Sequence, residues 1–407
     1  MNTGRTVFAQ LLEHLPLRAF RACVARYHGD RKVRAFSCLD QFLTLAFAQL
    51  TGRESLRDVE TALGALRPKL YHMGFRCGPV KRSTLADANE TRDWRIYYDF
   101  AQVLIAEART LYANDPLGPA PELATLWDTA VYALDVTTIR MCLTLCPWAT
   151  FRPRRHGGAI KLHTLLDVRG NIPTVVHVTA GSLHETRVFD RLVWEPGAFY
   201  LLDRGYGVFA RLHEITDAGA FFVTRAKRNM GRRRVASHPV PPEAKGGRTR
   251  GTSGVTSDTL VECSAHYTHA DYPTPLRLVR YYEAAHDRYF VFMTNNMTLP
   301  ALTIAALYER RWQVELFFRW IKQHLRLRAF YGTTENAVFT QVWSAIAVYV
   351  LVAVVRKRLQ LPASLYTILQ ILSVTLAEKT PLPQLLTEFH GAVLDAESAN
   401  QLSFFNL

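Results

Sequence analysis

Two aspartates stand where a carboxylate could take part in catalysis. Asp135 follows the apolar run 131–134, and Asp203 follows the run 199–202, where a glycine-containing turn begins. Both runs have the pattern of buried β-strands, and a side chain at a strand end is exposed on a rigid support. Taken alone, each aspartate is more simply explained as an ordinary capping or turn residue.

A third acid, Glu315, lies on a predicted helix that also carries Tyr308, Arg311 and Lys322. At about 100° per residue, these four side chains fall within an arc of about 60°. One acid and a phenol among bases favour a face turned toward a metal and phosphate groups, although a ladder of surface ion pairs remains the alternative. Two aspartates and a glutamate supply the oxygen ligands that suit Mg²⁺, and two such ions can promote phosphodiester cleavage.

The composition favours a polyanionic partner. The chain has 407 residues, enough for two or three domains, and its 49% hydrophobic content excludes a mostly disordered protein. Lys and Arg number 49 against 35 Asp and Glu, so the net charge is +14. This excess is unusual for a small-molecule enzyme, and a glycosidase with paired carboxylates would leave it unexplained. Six scattered cysteines predict reduced thiols rather than a disulfide scaffold or a zinc site.

The positive charge is concentrated in residues 225–250, where nine Lys and Arg accompany a single acid, Glu243. We interpret this segment as a basic loop that contacts DNA, with Arg232, Arg233 and Arg234 as phosphate-binding residues. A solvated loop without a fixed role is the alternative.

Changes in pattern along the chain predict an α/β protein built on a mixed sheet. Residues 1–112 have helical spacing and basic residues, as in a DNA-binding helical domain or a bundle with a solvated basic face. A turn-rich segment, 114–121, follows. The predicted regions are a helical domain at 1–112, a core at 122–218 and 299–335, a β-rich insertion with the basic loop at 219–298, and a helical C-terminal region at 336–407.

Within the core, two strand-like runs at 159–168 and 172–179 flank Arg169, Gly170 and Asn171, which is the signal of a β-hairpin. A helix is predicted at 184–192. In the insertion, strands are predicted at 259–268, 276–282 and 288–294.

One uncharged segment, 338–355, is long and apolar enough for a membrane span. Thr340, Gln341 and Ser344 interrupt it, and the sequence contains no second such segment. We therefore expect a helix buried in protein. The first 16 residues have no apolar core of the kind that a signal peptide needs.

These residues carry a family resemblance. The chain resembles the cut-and-paste DDE transposases of bacterial insertion sequences that have a Y-R-E-K signature. The specific match is Y-x₂-R-x₃-E-x₆-K at Tyr308, Arg311, Glu315 and Lys322. More modest matches are Leu-Asp-Val-Thr-Thr-Ile at 134–139 and Leu-Asp-Arg-Gly-Tyr at 202–206, and residues 18–66 resemble the N-terminal domain of many such transposases.

The resemblance implies an RNase H-like mixed-sheet catalytic core with a β-rich insertion, flanked by helical N- and C-terminal regions. It implies that Asp135, Asp203 and Glu315 are catalytic and bind Mg²⁺ or Mn²⁺, and that Tyr308 and Arg311 contact phosphates together with Lys322. The expected partners are double-stranded DNA, as element ends and target, and a second copy in a homodimeric synaptic complex. The expected location is the bacterial cytoplasm, in association with the nucleoid and not with a membrane.

Two other functions stay open at this point. One is an RNase H-like, metal-dependent nuclease without strand transfer. The other is a non-catalytic DNA-binding relative, which the presence of all three acids disfavours.

Overall fold

The N-terminal part of the chain is helical, as predicted. The computed structural model describes residues 4–141, 146–152, 155–182, 192–227, 230–323 and 330–388. Its first helices are α1 (Val7–Leu12), α2 (Leu17–Arg26), α3 (Cys38–Leu50), α4 (Leu56–Ala65), α5 (Arg82–Thr91) and α6 (Arg95–Tyr112). A capping box begins α3: the Ser37 hydroxyl accepts from the Asp40 N–H, and the Asp40 carboxylate accepts from the Ser37 N–H, both at 3.1 Å.

A mixed β-sheet forms the centre of the structure. Its strands are β1 (Val131–Met141), β2 (Thr150–Arg152), β3 (Arg155–Asp167), β4 (Ile172–Ala180), β5 (Phe199–Leu202), β6 (Phe221–Arg225), β7 (Arg232–His238), β8 (Gly254–Cys263), β9 (Leu276–Glu283) and β10 (Arg288–Thr294). The order across the sheet is β2-β3-β1-β5-β6-β10-β9-β8-β7, and β4 also pairs with β3. Helix α7 (Phe209–Asp217) connects β5 to β6, and α8 (His266–Asp271) follows β8.

The arrangement of β1 and β3 to β6 confirms the expected RNase H-like fold class. β4, β3 and β1 are antiparallel neighbours, and β5 and β6 then run parallel to β1. Side chains alternate between the two faces of a strand. Val131 and Ala133 of β1 therefore face a core shared with α3 and α6, whereas Tyr132 and Leu134 face a second core shared with α7.

The predicted hairpin joins β3 to β4. Four residues connect the paired Asp167 and Ile172, and within them Gly170 and Asn171 have φ values of 67° and 57°, in the left-handed region that hairpin turns use. Arg169 beside them is buried and donates hydrogen bonds to the carbonyls of Ala113 and Leu126, at 2.7 and 3.1 Å. The hairpin is thereby fixed to the segment that leads from α6 into the sheet. The helix predicted at 184–192 lies, apart from Leu192, outside the described residues.

The segment predicted as an insertion continues the same sheet. β6 pairs with β5, and β10, β9, β8 and β7 follow in that order. Two expectations were wrong here. The strand predicted at 259–268 ends at Cys263, and residues 232–238 of the predicted basic loop form strand β7. β7 exposes all seven side chains, so its extended form rests on pairing with β8 rather than on burial.

A buried ion pair ties these strands to the next helix. Arg277 on β9 donates to both carboxylate oxygens of Asp258 on β8, at 2.9 and 2.7 Å, and to the carbonyl of Leu299 at 2.6 Å. The two side chains are only 6% and 4% exposed. Leu299 precedes the helix that carries Tyr308, so this pair fixes where that helix begins.

Helices make up the C-terminal part of the described chain. They are α9 (Ala301–Arg310), α10 (Trp312–Gln323), α11 (Glu335–Arg358), α12 (Leu365–Thr375) and α13 (Leu382–Glu388). α11 is long and apolar enough to cross a membrane, but 94% of its most apolar stretch is buried inside the protein. It packs against α3, α5 and α6, which confirms the expectation of a buried helix.

Candidate catalytic site

Asp135 and Asp203 lie next to each other at one edge of the parallel part of the sheet. β1 pairs in parallel with β5 from Val131 to Leu134, and Leu134 is opposite Leu202. The next residue of each strand segment is an aspartate, so Asp135 and Asp203 lie side by side. β1 itself does not end at Asp135, because it continues to Met141 in antiparallel pairing with β3. Asp135 therefore marks the point at which β1 and β5 separate, a usual position for a site in such sheets.

The segment that carries Glu315 is interrupted at Arg311. The N–H of Arg311 bonds to the carbonyl of Tyr308 at 3.1 Å, and the N–H of Val314 bonds to the carbonyl of Arg311 at 3.3 Å. These bonds span three residues, as in a tight 3₁₀ turn. The expected single helix through Lys322 was wrong: Tyr308 belongs to α9, Glu315 and Lys322 belong to α10, and Arg311 lies at their junction.

Arg311 connects two of the three acids. Its Nη1 lies 3.4 Å from Oδ2 of Asp135, and its Nη2 donates a hydrogen bond to Oε1 of Glu315. The Arg311 side chain is only 11% exposed. One guanidinium group therefore holds a carboxylate from β1 beside a carboxylate from α10.

The pKa of Asp135 is raised to about 7, chiefly by burial and in smaller part by the charges of Glu315 and Asp203. Arg311 and the N–H of Val136, which bonds to Oδ1 of Asp135 at 2.8 Å, act in the opposite direction. The influence of the other two acids on the pKa of Asp135 shows that all three carboxylates share one electrostatic environment.

The pKa of Asp203 is shifted downward, in the opposite direction to that of Asp135. Its burial acts to raise its pKa, but Arg311, the backbone N–H of Arg204 and the side chain of Arg225 outweigh burial and hold the pKa below its ordinary value. Nη2 of Arg225 lies 3.1 Å from Oδ1 of Asp203. Asp203 is therefore ionised at neutral pH and oriented by Arg225.

Arg225 was assigned from sequence only to the basic loop, and its position at the acid site was missed. A signal was available, since Arg225 ends β6 and β6 is the parallel neighbour of β5. The strand-end reasoning that identified Asp203 applies to Arg225 as well.

Tyr308 and Lys322 complete the signature. Tyr308 is 4% exposed, its ring centroid lies 5.8 Å from the guanidinium carbon of Arg311, and burial raises its pKa. Lys322 lies in the last turn of α10, seven residues and hence about two helical turns beyond Glu315, on the same side of that helix. The structure thus brings Tyr308, Arg311 and Glu315 together and places Lys322 on the helix of Glu315.

The acids were also predicted to bind metal. Among the residues that the structure describes, no three acidic, His or Cys side chains are close enough to hold one ion. The donor chemistry nevertheless fits a divalent cation, because the carboxylates offer oxygen ligands and a cationic group already lies between Asp135 and Glu315. Asp135 and Glu315 would supply carboxylate oxygens to such an ion.

Arg232, Arg233 and Arg234 are not part of this site. They lie on β7, the edge strand, and β6, β10, β9 and β8 separate β7 from β5. At about 4.8 Å per strand, this places them about 24 Å across the sheet from Asp203. Any DNA contact that they make is therefore separate from the carboxylates.

Comparison with known proteins agrees with the arrangement of these residues. The family described as "Transposase DDE domain" matches residues 126–351, more than half of the chain and a range that includes all three acids. A family described only as a domain of unknown function, DUF4372, matches residues 3–76.

Individual relatives bear similar names. A putative transposase, y4zB, of Sinorhizobium fredii (strain NBRC 101917 / NGR234) is 34% identical over 225 residues, which cover 55% of this chain and 61% of that protein. A probable transposase for insertion sequence element IS5377 of Geobacillus stearothermophilus is 31% identical over 218 residues, covering 54% of each chain. The matched region thus spans about half to three fifths of the length of these curated relatives.

The cryo-EM structure of the piggyBac transposase synaptic complex with hairpin DNA aligns with 98% of this chain and 83% of that chain, at 12% identity and a TM-score of 0.43. This similarity is too weak to support an inference. The match over residues 126–351 and the strand order of the sheet are sufficient, and they show that this chain belongs to the DDE-domain transposase family.

Proposed function

We propose that this chain is a DNA transposase that binds the terminal inverted repeats of an insertion sequence and carries out metal-dependent cleavage and strand transfer. The observation that supports this most directly is that Arg311 pairs with both Asp135 and Glu315, while Asp203 follows the strand next to that of Asp135, all within the region that matches the family. These acids come from β1, β5 and α10, three elements far apart in the sequence.

Transposase DDE domains generally use divalent metal ions. In our proposal Asp135, Asp203 and Glu315 hold Mg²⁺ or Mn²⁺. When bound, such ions activate the attacking water or hydroxyl group and stabilise the leaving oxygen of the phosphodiester. Arg225 keeps Asp203 ionised and oriented for this task.

Tyr308, Arg311 and Lys322 are proposed to bind phosphates near the cleaved end. Arg311 offers a planar group that suits phosphate oxygens once it no longer bridges the two acids. The buried ring of Tyr308 supports the Arg311 side chain from α9. Lys322 adds a positive charge farther along the same side of α10 as Glu315.

The proposed partners are double-stranded DNA, as element ends and target, and a second copy of the chain in the synaptic complex. The proposed location is the bacterial cytoplasm, next to the nucleoid. The domain boundaries proposed from the sequence, at 1–112, 122–218 with 299–335, 219–298 and 336–407, remain part of this proposal. The continuous sheet joins the second and third of these regions.

The central experiment uses the full chain and linear DNA that carries the element's own ends. We expect excision and joining with Mg²⁺ or Mn²⁺, and none in EDTA. A second substrate with pre-cut ends separates transposition from simple nuclease activity, because only a transposase joins such ends to target DNA. Cleavage without joining would indicate a nuclease, and binding without either reaction would indicate a non-catalytic relative.

A separate prediction concerns DNA contacts at the edge strand β7. Arg233 donates to Glu262 at 2.6 Å, whereas Arg232 and Arg234 form no ion pair within the described ranges. Because side chains alternate along a strand, Arg232 and Arg234 share a face that Arg233 does not. The slope of log K against log salt is negative for DNA binding. Replacing both Arg232 and Arg234 by Ala should reduce its magnitude by about 1.8, or about 0.9 per phosphate contact.

The slope is measured by fluorescence anisotropy with labelled duplex DNA in EDTA at several KCl concentrations. Arg233→Ala is the matched control on the same strand, and its slope should change by less than one contact. Equal changes in both variants, or no change in the double variant, would remove β7 from the DNA-binding surface.

A further inference from the structure

Helix α10 carries Glu315 but does not continue α9, because the chain turns at Arg311. Contacts with other elements must therefore set the direction of α10 and, with it, the position of Glu315. Such contacts come from Gln313, Phe317 and Trp320. At about 100° per residue, these three side chains lie within about 60° of one another, and Glu315 lies on the opposite side of the helix.

The turn between β3 and β4 holds the first turn of α10. Nδ2 of Asn171 in that turn donates a hydrogen bond to Oε1 of Gln313 at 3.1 Å. The carbonyl of Asn171 accepts a hydrogen bond from the Tyr349 hydroxyl on α11 at 2.8 Å. The ring of Tyr349 packs edge-to-face on Phe317 and Trp320, with centroid distances of 5.1 and 4.4 Å. One face of α10 is thus held jointly by Asn171 and Tyr349.

The β3–β4 turn does not itself need the side chain of Asn171. Its φ of 57° is a value that glycine adopts without strain, as Gly170 does beside it. Within the part of the chain that the structure describes, the Asn171 amide makes a single hydrogen bond, to Gln313, and its Oδ1 is buried without a partner. The asparagine therefore serves the contact with α10 rather than the conformation of the turn.

We propose that Asn171 is a positioning residue for DNA cleavage and joining, because through Gln313 it sets the start of α10. Glu315 is thereby held beside Asp135, where Arg311 contacts both acids. The catalytic consequence rests on the proposed function, in which Glu315 is a catalytic acid. A misplacement of about 1 Å in a catalytic group can lower a rate by about a hundredfold.

The first measurement is hydrogen exchange of the full chain in EDTA without DNA, so that it does not depend on catalysis. Asn171→Gly removes the amide and keeps a residue that adopts the φ of the turn. Backbone exchange in α10 should become about tenfold faster, the effect of losing one partly buried hydrogen bond. Exchange in α9 should stay unchanged, because the contact lies beyond the break at Arg311.

Asp287→Gly is the matched control. Asp287 is the last of four residues that connect β9 to β10, as Asn171 is between β3 and β4, and its φ is 49°. Its carboxylate accepts hydrogen bonds from Tyr282 at 2.9 Å and from Arg248 at 2.6 Å, and neither residue lies on α10. Exchange in α10 should therefore be the same in this control as in the unaltered chain.

Two variants of Gln313 test the hydrogen bond itself. Gln313→Met removes the acceptor and should repeat the effect of Asn171→Gly, and combining both changes should add nothing further. Gln313→Glu keeps an acceptor for the Asn171 amide and should restore the slow exchange of α10.

The second measurement is end cleavage with metal. In Asn171→Gly and Gln313→Met, kcat should fall by about ten- to a hundredfold, whereas the KM for DNA and DNA binding in EDTA should not change. Equal exchange in α10 for Asn171→Gly and Asp287→Gly would overturn the proposal, and so would an unchanged kcat. A chain that shows no metal-dependent cleavage would contradict the proposed function, while the exchange measurement would still decide whether Asn171 holds α10.

Discussion

Replacing Asp135 or Asp203 by Asn, or Glu315 by Gln, is expected to abolish DNA cleavage and joining. Each change removes one negative oxygen from a set of three carboxylates that share one electrostatic environment. Metal ions contribute several kcal/mol to charge stabilisation in such reactions, and about 4 kcal/mol corresponds to about a thousandfold in rate. The rate is measured from end cleavage at saturating DNA and metal.

Glu309→Gln provides the control for these variants. Glu309 lies on α9 six residues before Glu315, is 38% exposed and pairs with Arg310 rather than with Arg311. It should leave the rate nearly unchanged, and all four variants should bind DNA in EDTA as the unaltered chain does. Full activity in any one of the three site variants, or in the presence of EDTA, would contradict the assignment of these acids as catalytic metal ligands.

Arg277→Met is expected to destabilise the protein by about 3–5 kcal/mol, the usual cost of breaking a buried ion pair. The change leaves the Asp258 carboxylate, only 4% exposed, without its cation, and it leaves the Leu299 carbonyl without a donor. The measurement is urea denaturation followed by tryptophan fluorescence.

Arg233→Met is the matched control, because Arg233 also pairs with an acid on β8, Glu262, but is 74% exposed. Exposed ion pairs contribute about 1 kcal/mol or less, so this variant should unfold almost like the unaltered chain. The double variant Arg277→Met/Asp258→Leu should recover part of the loss. A denaturation midpoint in Arg277→Met no lower than in Arg233→Met would show that the buried pair does not hold the strands together.

The core strands could be predicted from sequence because their residues satisfy local rules. The apolar runs before Asp135 and Asp203 have strand composition, and Gly170 with Asn171 is a recognisable hairpin turn. The three acids could be proposed as a site because strand ends and helical spacing are local properties. The pairing of β1 with β5 and the contacts of Arg311, which relate these acids in space, became visible only in the fold.

The features that were missed depend on partners distant in sequence. No Gly or Pro lies within 301–323, so nothing local marks the break at Arg311. β7 is rich in arginine and fully exposed, and it becomes a strand because β8 offers an edge. The pairing of Arg277 with Asp258 requires β8 and β9 to be aligned in one particular register.

The packing of α11 has a consequence for biosynthesis. This helix contacts α3, α5 and α6, and the Tyr112 hydroxyl bonds to the carbonyl of Ala353 across 241 positions of sequence. As the chain leaves the ribosome, the apolar surfaces of α3, α5 and α6 that pack against α11 stay uncovered until α11 has been synthesised. During that interval the nascent protein presents surface that a chaperone could bind, and a fragment ending after α6 would carry the same exposed surface permanently.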